Sequence, residues 1–121
     1  MANILVIDDS PTVAGAVREA LAPDGHQVES LKRFIDLPAV IATRPPDLIL
    51  LDLEIPSLSG VALGGFVRRY QRRHIHILIH SSLPESTLAE AAAQVGALGY
   101  LSKGTPWEAM RAKIRHALAQ S

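Results

Sequence analysis

Short apolar runs alternate along the chain with stretches in which apolar residues recur every three or four positions. The runs have the length of buried strands, and the recurring positions mark one face of a helix. This alternation is typical of βα units around a parallel sheet. The predicted strands are residues 4–7, 27–31, 48–51, 75–79 and 98–101. The sequence therefore predicts an α/β fold of five βα units.

Each predicted strand is followed by a helical apolar stripe. Ser10-Pro11 predicts an N-cap for the first helix, and the segment from Thr105 to Glu108 predicts a capping box before the fifth. The five stripes are Val13/Val17/Leu21, Leu37/Val40/Ile41, Leu63/Phe66/Val67/Tyr70, Leu88/Ala91/Ala92/Val95 and Trp107/Met110/Ile114/Leu118. Right-handed crossovers then favour a doubly wound, flavodoxin-like sheet of strand order 2-1-3-4-5.

Acidic residues end the first and third predicted strands. Asp8 and Asp9 follow residue 7, and Asp52 follows residue 51, so strand order 2-1-3-4-5 brings all three to the carboxyl edge where ligands bind in such sheets. Two carboxylates about 5 Å apart repel by roughly 3 kcal/mol at an effective dielectric near 20. Mg²⁺ would relieve that repulsion and leave places for phosphate oxygens. Alternatively, Asp8 and Asp9 only cap the first helix or are solvated.

Composition favours one intracellular domain over residues 1–121. Twelve basic and twelve acidic residues cancel, so no global positive field attracts nucleic acid or an anionic membrane. The chain lacks cysteine, and its start has no basic region before the apolar run, unlike a secretory signal. These features predict a cytoplasmic protein without direct nucleic-acid or membrane binding.

Several short motifs together carry a family resemblance over nearly the whole chain. They are Asp8-Asp9, the segment Asp52-Leu53-Glu54-Ile55-Pro56-Ser57-Leu58-Ser59-Gly60, Ser81, Tyr100 and Lys103. Their order and spacing resemble the receiver (REC, CheY-like) domain of two-component response regulators. The resemblance implies a phosphorelay signalling domain that catalyses its own aspartyl phosphorylation and dephosphorylation but is not otherwise an enzyme.

The same resemblance assigns roles to individual residues. Asp52 would accept a phosphoryl group from a sensor histidine kinase or a phosphotransfer protein. Asp9 and Asp52 would bind Mg²⁺ directly, Asp8 through water, and the backbone carbonyl of Glu54 would be a further ligand. Lys103 would pair with Asp52 at rest and with the phosphoryl group afterwards. We also hypothesise that the Glu54 side chain modulates dephosphorylation.

The resemblance further implies a conformational switch. The Ser81 hydroxyl would bind the new phosphoryl group, and Tyr100 would change rotamer in response. The fourth helix, fifth strand and fifth helix would then present an altered surface to a downstream target protein or an output domain, or to a second copy in a homodimer.

Two residues depart from the receiver pattern. Gly104 follows Lys103 where proline is usual, which leaves a cis or a trans peptide bond open. His80 stands where an apolar residue is usual, on the same strand face as His74 and His76, so the three predict either packed imidazoles or a Zn²⁺ or pH-sensing site.

Three other functions remain as alternatives. The departures favour a pseudo-receiver, a protein-interaction module that takes no phosphate. A metal-dependent phosphatase with an aspartyl intermediate usually has two aspartates with one residue between them, and Asp52-Leu53-Glu54 only approximates this pattern. A nucleotide or flavin binder is disfavoured, because no glycine-rich phosphate loop follows a predicted strand.

Overall fold

Five parallel strands form one sheet in the computed structural model, which describes residues 2–54, 65, 68–70, 73 and 75–120. The strands are β1 (Asn3–Ile7), β2 (Gln27–Leu31), β3 (Leu48–Leu51), β4 (His76–Ser81) and β5 (Gly99–Ser102). Their order is β2-β1-β3-β4-β5, and every neighbouring pair is parallel. The predicted doubly wound fold and strand order are therefore confirmed.

The strand bounds differ from the prediction mainly at β4 and β5. The sequence predicts that these strands end at residues 79 and 101, whereas they end at Ser81 and Ser102. His80 pairs with Leu101, and Ser81 pairs with Ser102, so both strands continue past their apolar runs. The ladder depends on backbone groups, and polar side chains at the end of a strand do not interrupt it.

Helices cover both faces of the sheet. They include Pro11–Leu21, Leu37–Thr43, Glu85–Val95 and Trp107–Leu118, and short 3₁₀ helices lie at Ala22–Asp24 and Phe34–Asp36. Residues 65 and 68–70 are helical, in agreement with the third predicted helix, but Leu63, Phe66 and Val67 of its stripe lie outside the described residues. No helix in the described part of the chain combines the length and hydrophobicity needed to cross a bilayer.

Neither predicted side-chain cap forms. Ser10 occupies the N-cap position of the first helix without a side-chain cap bond, and its backbone N–H donates to Asp8 Oδ1 at 2.9 Å. The last helix begins at Trp107, so Pro106 rather than Thr105 is its N-cap residue. Pro106 has an extended backbone (φ −57°, ψ 146°), which starts the helix one residue too late for the predicted capping box.

The core has two halves, one on each face of the sheet. Side chains alternate along a strand, so residues such as Ile7, Leu51 and Ile79 pack on the face covered by Leu37–Thr43 and Glu85–Val95. Leu50 and Leu78 pack on the opposite face, under the first and last helices. All of these strand residues are at most 2% exposed, and this burial fixes the register of the strands that carry the site.

Candidate functional site

Three charged residues follow strand ends at the carboxyl edge of the sheet, and backbone hydrogen bonds hold each of them. The Asp8 N–H donates to the Leu31 carbonyl at 3.1 Å, and the Asp52 N–H donates to the Ile7 carbonyl at 3.0 Å. The Lys103 N–H donates to the Ser81 carbonyl, also at 3.0 Å. The sheet itself therefore positions the backbone from which these side chains extend.

Asp8, Asp9 and Asp52 form an acidic pocket. One carboxylate oxygen from each lies within 4.8 Å of the others. Asp8 and Asp52 are buried, whereas Asp9 is exposed. The Lys103 ammonium bridges the two buried carboxylates, with Nζ 2.8 Å from Asp8 Oδ2 and 3.3 Å from Asp52 Oδ2. The structure thus brings all four predicted residues together and adds a contact between Lys103 and Asp8 that the sequence did not predict.

Burial and charge pairing shift the pKa values of Asp52 and Lys103 in opposite directions. Burial raises the pKa of Asp52, although the Glu54 N–H, which donates to Asp52 Oδ1 at 3.1 Å, and the nearby Lys103 both oppose the shift. Burial lowers the pKa of Lys103, but the hydrogen bond to Asp8 and the attraction of Asp52 outweigh it, so the net shift is upward. Lys103 is therefore fully protonated at neutral pH and offsets part of the negative charge.

The acidic pocket fits a small divalent cation. Three carboxyl groups face a single ammonium, and the donors are hard oxygens that suit Mg²⁺. Among the described residues this is the one cluster of acidic or histidine side chains close enough to hold a metal. His74 lies outside the described residues, and neither His76 nor His80 joins such a cluster.

Ser81 and Glu54 lie on the neighbouring β4 and β3 sides of the pocket. Ser81 is fully buried, and its Oγ accepts a hydrogen bond from the Leu83 N–H at 3.3 Å. The Glu54 side chain is exposed and accepts a hydrogen bond from the Ser82 hydroxyl at 3.1 Å. This contact joins the segments that follow β3 and β4, and the sequence prediction did not include Ser82.

Tyr100 has polar contacts on two sides. Its hydroxyl donates to Glu85 Oε1 at 3.3 Å, and the Lys113 ammonium lies 4.7 Å from the centre of its ring. Glu85 begins one helix, and Lys113 lies in the last helix. No sequence pattern predicts these two partners, because the helix register that places them beside β5 is set by packing.

The structure shows the peptide bond at Gly104 and the position of His80, the two residues that depart from the receiver pattern. The Lys103–Gly104 peptide bond is trans, since no cis bond occurs among the described residues. The Gly104 N–H donates to Ser102 Oγ at 3.3 Å, and Lys103 still reaches the acidic pocket. His80 is buried on the face of the sheet opposite to Ile79.

Comparisons with known proteins agree with this geometry. Residues 4–115 match the model of the family described as the response regulator receiver domain. The chain is 35% identical to the KDP operon transcriptional regulatory protein KdpE of Escherichia coli K12, over 98% of this chain and 52% of that protein. It is 30% identical to Protein PilH of Pseudomonas aeruginosa, over 98% of this chain and 99% of PilH. The chain spans about half the length of the KdpE relatives it matches.

Solved structures show the same fold. The BeF3-activated N-terminal receiver domain of Klebsiella pneumoniae RstA superposes with a TM-score of 0.84 at 26% identity, over 98% of this chain and 99% of that one. The chemotaxis response regulator CheY4 of Vibrio cholerae superposes with a TM-score of 0.80 at 22% identity, over 97% and 98%. The matched family model, the relatives and the sheet with its acidic edge all identify this chain as a receiver domain of two-component response regulators.

Proposed function

We propose that Asp52 is the phosphoacceptor of this receiver domain and takes its phosphoryl group from the phosphohistidine of a sensor histidine kinase or a phosphotransfer protein. The observation that carries the proposal is the Lys103 ammonium, which contacts Asp52 at 3.3 Å and Asp8 at 2.8 Å at the carboxyl edge of the sheet. A buried carboxylate with a cation beside it can gain a phosphoryl group without leaving the new negative charge unpaired.

The transfer forms one bond and breaks one. A carboxylate oxygen of Asp52 attacks phosphorus, the phosphorus–nitrogen bond of the donor breaks, and the electron pair returns to the imidazole. Carboxylates are weak nucleophiles, so the domain contributes position and charge neutralisation rather than proton removal. Lys103 is a compact charge on a flexible stem and can follow the phosphoryl oxygens after transfer.

Mg²⁺ is the proposed cofactor. Asp9 and Asp52 would bind it directly, Asp8 through water, and the backbone carbonyl of Glu54 would be a further ligand. The three carboxylates, with oxygens within 4.8 Å of one another, support this assignment. When bound, Mg²⁺ supplies positive charge to the phosphoryl oxygens. With these groups the domain would catalyse both its own phosphorylation and its own dephosphorylation.

Ser81 and Tyr100 are the proposed switch residues. The Ser81 hydroxyl would donate to the phosphoryl group, and Tyr100 would then leave Glu85, whose carboxylate accepts its hydroxyl at 3.3 Å at rest. The surface formed by Glu85–Val95, β5 and Trp107–Leu118 would change with it. This surface would contact a downstream target or an output domain, or a second copy in a homodimer.

We further propose that residues 1–121 act as one receiver domain in the cytoplasm. The family match over residues 4–115 and the near-complete coverage of PilH support the single domain. The location rests on the family and on the balanced, cysteine-free composition.

Phosphorylation followed by intact mass tests the assignment of Asp52. The protein is incubated with Mg²⁺ and acetyl phosphate or phosphoramidate, and the wild type is compared with Asp52→Asn. Asp24→Asn is the matched control, since Asp24 pairs with Arg115 away from the acidic pocket. We expect one phosphoryl group on the wild type and on Asp24→Asn and none on Asp52→Asn. An equal gain in all three would move the acceptor elsewhere, and no gain in the wild type would indicate a pseudo-receiver.

A further inference from the structure

A small cavity lies between the first and last helices, on the face of the sheet that carries His80. Its volume is about 80 Å³. The cavity has mostly apolar walls and three polar side chains. The walls include Val17, Trp107 and Met110, and the polar side chains are His80, Lys103 and Thr105. Trp107 is 49% exposed, so the cavity opens to solvent beside an aromatic ring.

His80 lines this cavity and has an unsatisfied polar atom, which the cavity does not reach in this rotamer. The residue is only 2% exposed, and its Nε2 has no hydrogen-bond partner among the described residues. Buried polar atoms are almost always paired, because an unpaired one costs free energy. Burial also lowers the pKa of His80 to about 4, so the ring is neutral at pH 7 and Nε2 can donate or accept according to its tautomer.

The size and lining of the cavity limit what it can hold. An apolar cavity of about 150 Å³ in another protein binds benzene, so about 80 Å³ open on one side suits a single small ring rather than a nucleotide. The Lys103 ammonium at its edge disfavours a cationic ligand. The neutral imidazole favours a ligand with one N–H or one ring nitrogen.

We propose that this cavity is a binding site for an uncharged, single-ring aromatic N-heterocycle. The ring lies among Val17, Met110 and Trp107, and a rotation of the His80 side chain on binding brings Nε2 into a hydrogen bond with its nitrogen. Lys103 lines the cavity and also contacts the acidic pocket, so an occupied cavity alters the environment of Lys103. An effect of the ligand on phosphorylation rests on the proposed function of Asp52, whereas binding itself does not.

Binding is tested on the full chain without metal or phosphate donor, so that its outcome is independent of Asp52. Pyrazole is the probe, since it is neutral at pH 7 and carries an N–H and a ring nitrogen. Thiophene has the same ring size without an N–H. Amide NMR spectra are recorded during titration. We expect saturable shifts at Thr105, Met110 and the Trp107 indole with pyrazole, at millimolar affinity for so few atoms, and at least about threefold weaker binding of thiophene.

Two variants separate the cavity from non-specific binding. His80→Leu keeps the packing volume but removes Nε2, and it should weaken pyrazole about threefold to tenfold while leaving thiophene unchanged. Ala16→Phe places a ring in the cavity and should abolish binding, whereas Ala93→Phe on a helix that does not line the cavity should not. The absence of saturable shifts in the wild type would overturn the proposal. Equal pyrazole affinity in the wild type and His80→Leu would overturn it too, even if Ala16→Phe fails to fold.

Discussion

Replacement of Lys103 by methionine tests whether one ammonium neutralises two buried carboxylates. The side chains of Asp8 and Asp52 are 1% and 3% exposed, and that of Lys103 is 19% exposed. At separations of 2.8 and 3.3 Å, Coulomb attraction at an effective dielectric of 20 is about 6 and about 5 kcal/mol. Desolvation of the charges offsets most of it, and loss of one partner of a buried pair typically costs about 3–5 kcal/mol. We expect Lys103→Met to lose about 3 kcal/mol of unfolding free energy in metal-free buffer.

Mg²⁺ should restore part of the unfolding free energy that Lys103→Met loses. In the wild type a divalent cation competes with the Lys103 ammonium for Asp8 and Asp52, whereas in Lys103→Met the carboxylates are left without a cation. A ligand that binds only the folded state stabilises it by about 1.4 kcal/mol for each tenfold gain in affinity once it is in excess. We therefore expect Mg²⁺ to stabilise the variant by at least about 1.4 kcal/mol more than the wild type.

Urea unfolding with and without Mg²⁺ measures both effects. Lys113→Met is the matched control, because it removes the same charge from an exposed position, where Lys113 contacts only the Tyr100 ring among the described interactions. It should cost no more than about 1 kcal/mol, with no change in the response to Mg²⁺. The reasoning is refuted if Lys103→Met is as stable as Lys113→Met without metal, or if Mg²⁺ stabilises all three proteins equally.

Three further predictions concern pH, stability and dephosphorylation. The pKa of His80 is about 4 when folded and 6.5 when unfolded, so the free energy of unfolding should fall by up to about 3 kcal/mol as pH drops from 6.5 towards 4. His80→Leu should flatten a profile of urea midpoint against pH over this range. An unchanged slope would contradict the burial of a neutral ring. Burial raises the pKa of Asp52, so its protonated form stabilises the fold below pH 3.8 and this contribution is lost as pH rises. Asp52→Asn should therefore be more stable than the wild type at pH 7 by the same assay, and equal or lower stability would count against it. Glu54→Ala removes a negative charge near the proposed phosphoryl group and should speed its hydrolysis about threefold, which equals a barrier lower by roughly 0.7 kcal/mol. The decay of the phosphorylated protein is measured by intact mass. An unchanged decay rate would exclude a role for Glu54.

The sequence predicts the sheet and the composition of the acidic pocket because both depend on simple periodicities. Apolar runs mark buried strands, and parallel strands bring their carboxyl ends to one edge, so Asp8 and Asp52 meet once the strand order is known, whereas the place of Lys103 in the pocket follows from the receiver resemblance. No side-chain detail is needed for that inference. The inference holds even though β4 ends two residues later than the apolar run predicts.

The contacts that were missed depend on rotamers and on helix register. Lys103 reaches Asp8 more closely than Asp52, and strand order alone gives no distance between side-chain atoms. Glu85 and Lys113 meet Tyr100 because two helices settle at particular rotations on the sheet. The failed capping box has a similar cause, since the extended backbone of Pro106 delays the helix start by one residue.

The backbone bonds from Asp8, Asp52 and Lys103 to neighbouring strands have a consequence for divergence within the family. They use main-chain atoms, so substitutions elsewhere leave them in place while the loops and outer helix faces accumulate changes. Partner choice can then evolve without a shift of the charged groups. Solved structures with 26% and 22% identity keep the same fold, so the sheet that carries these backbone contacts does not depend on most of this sequence.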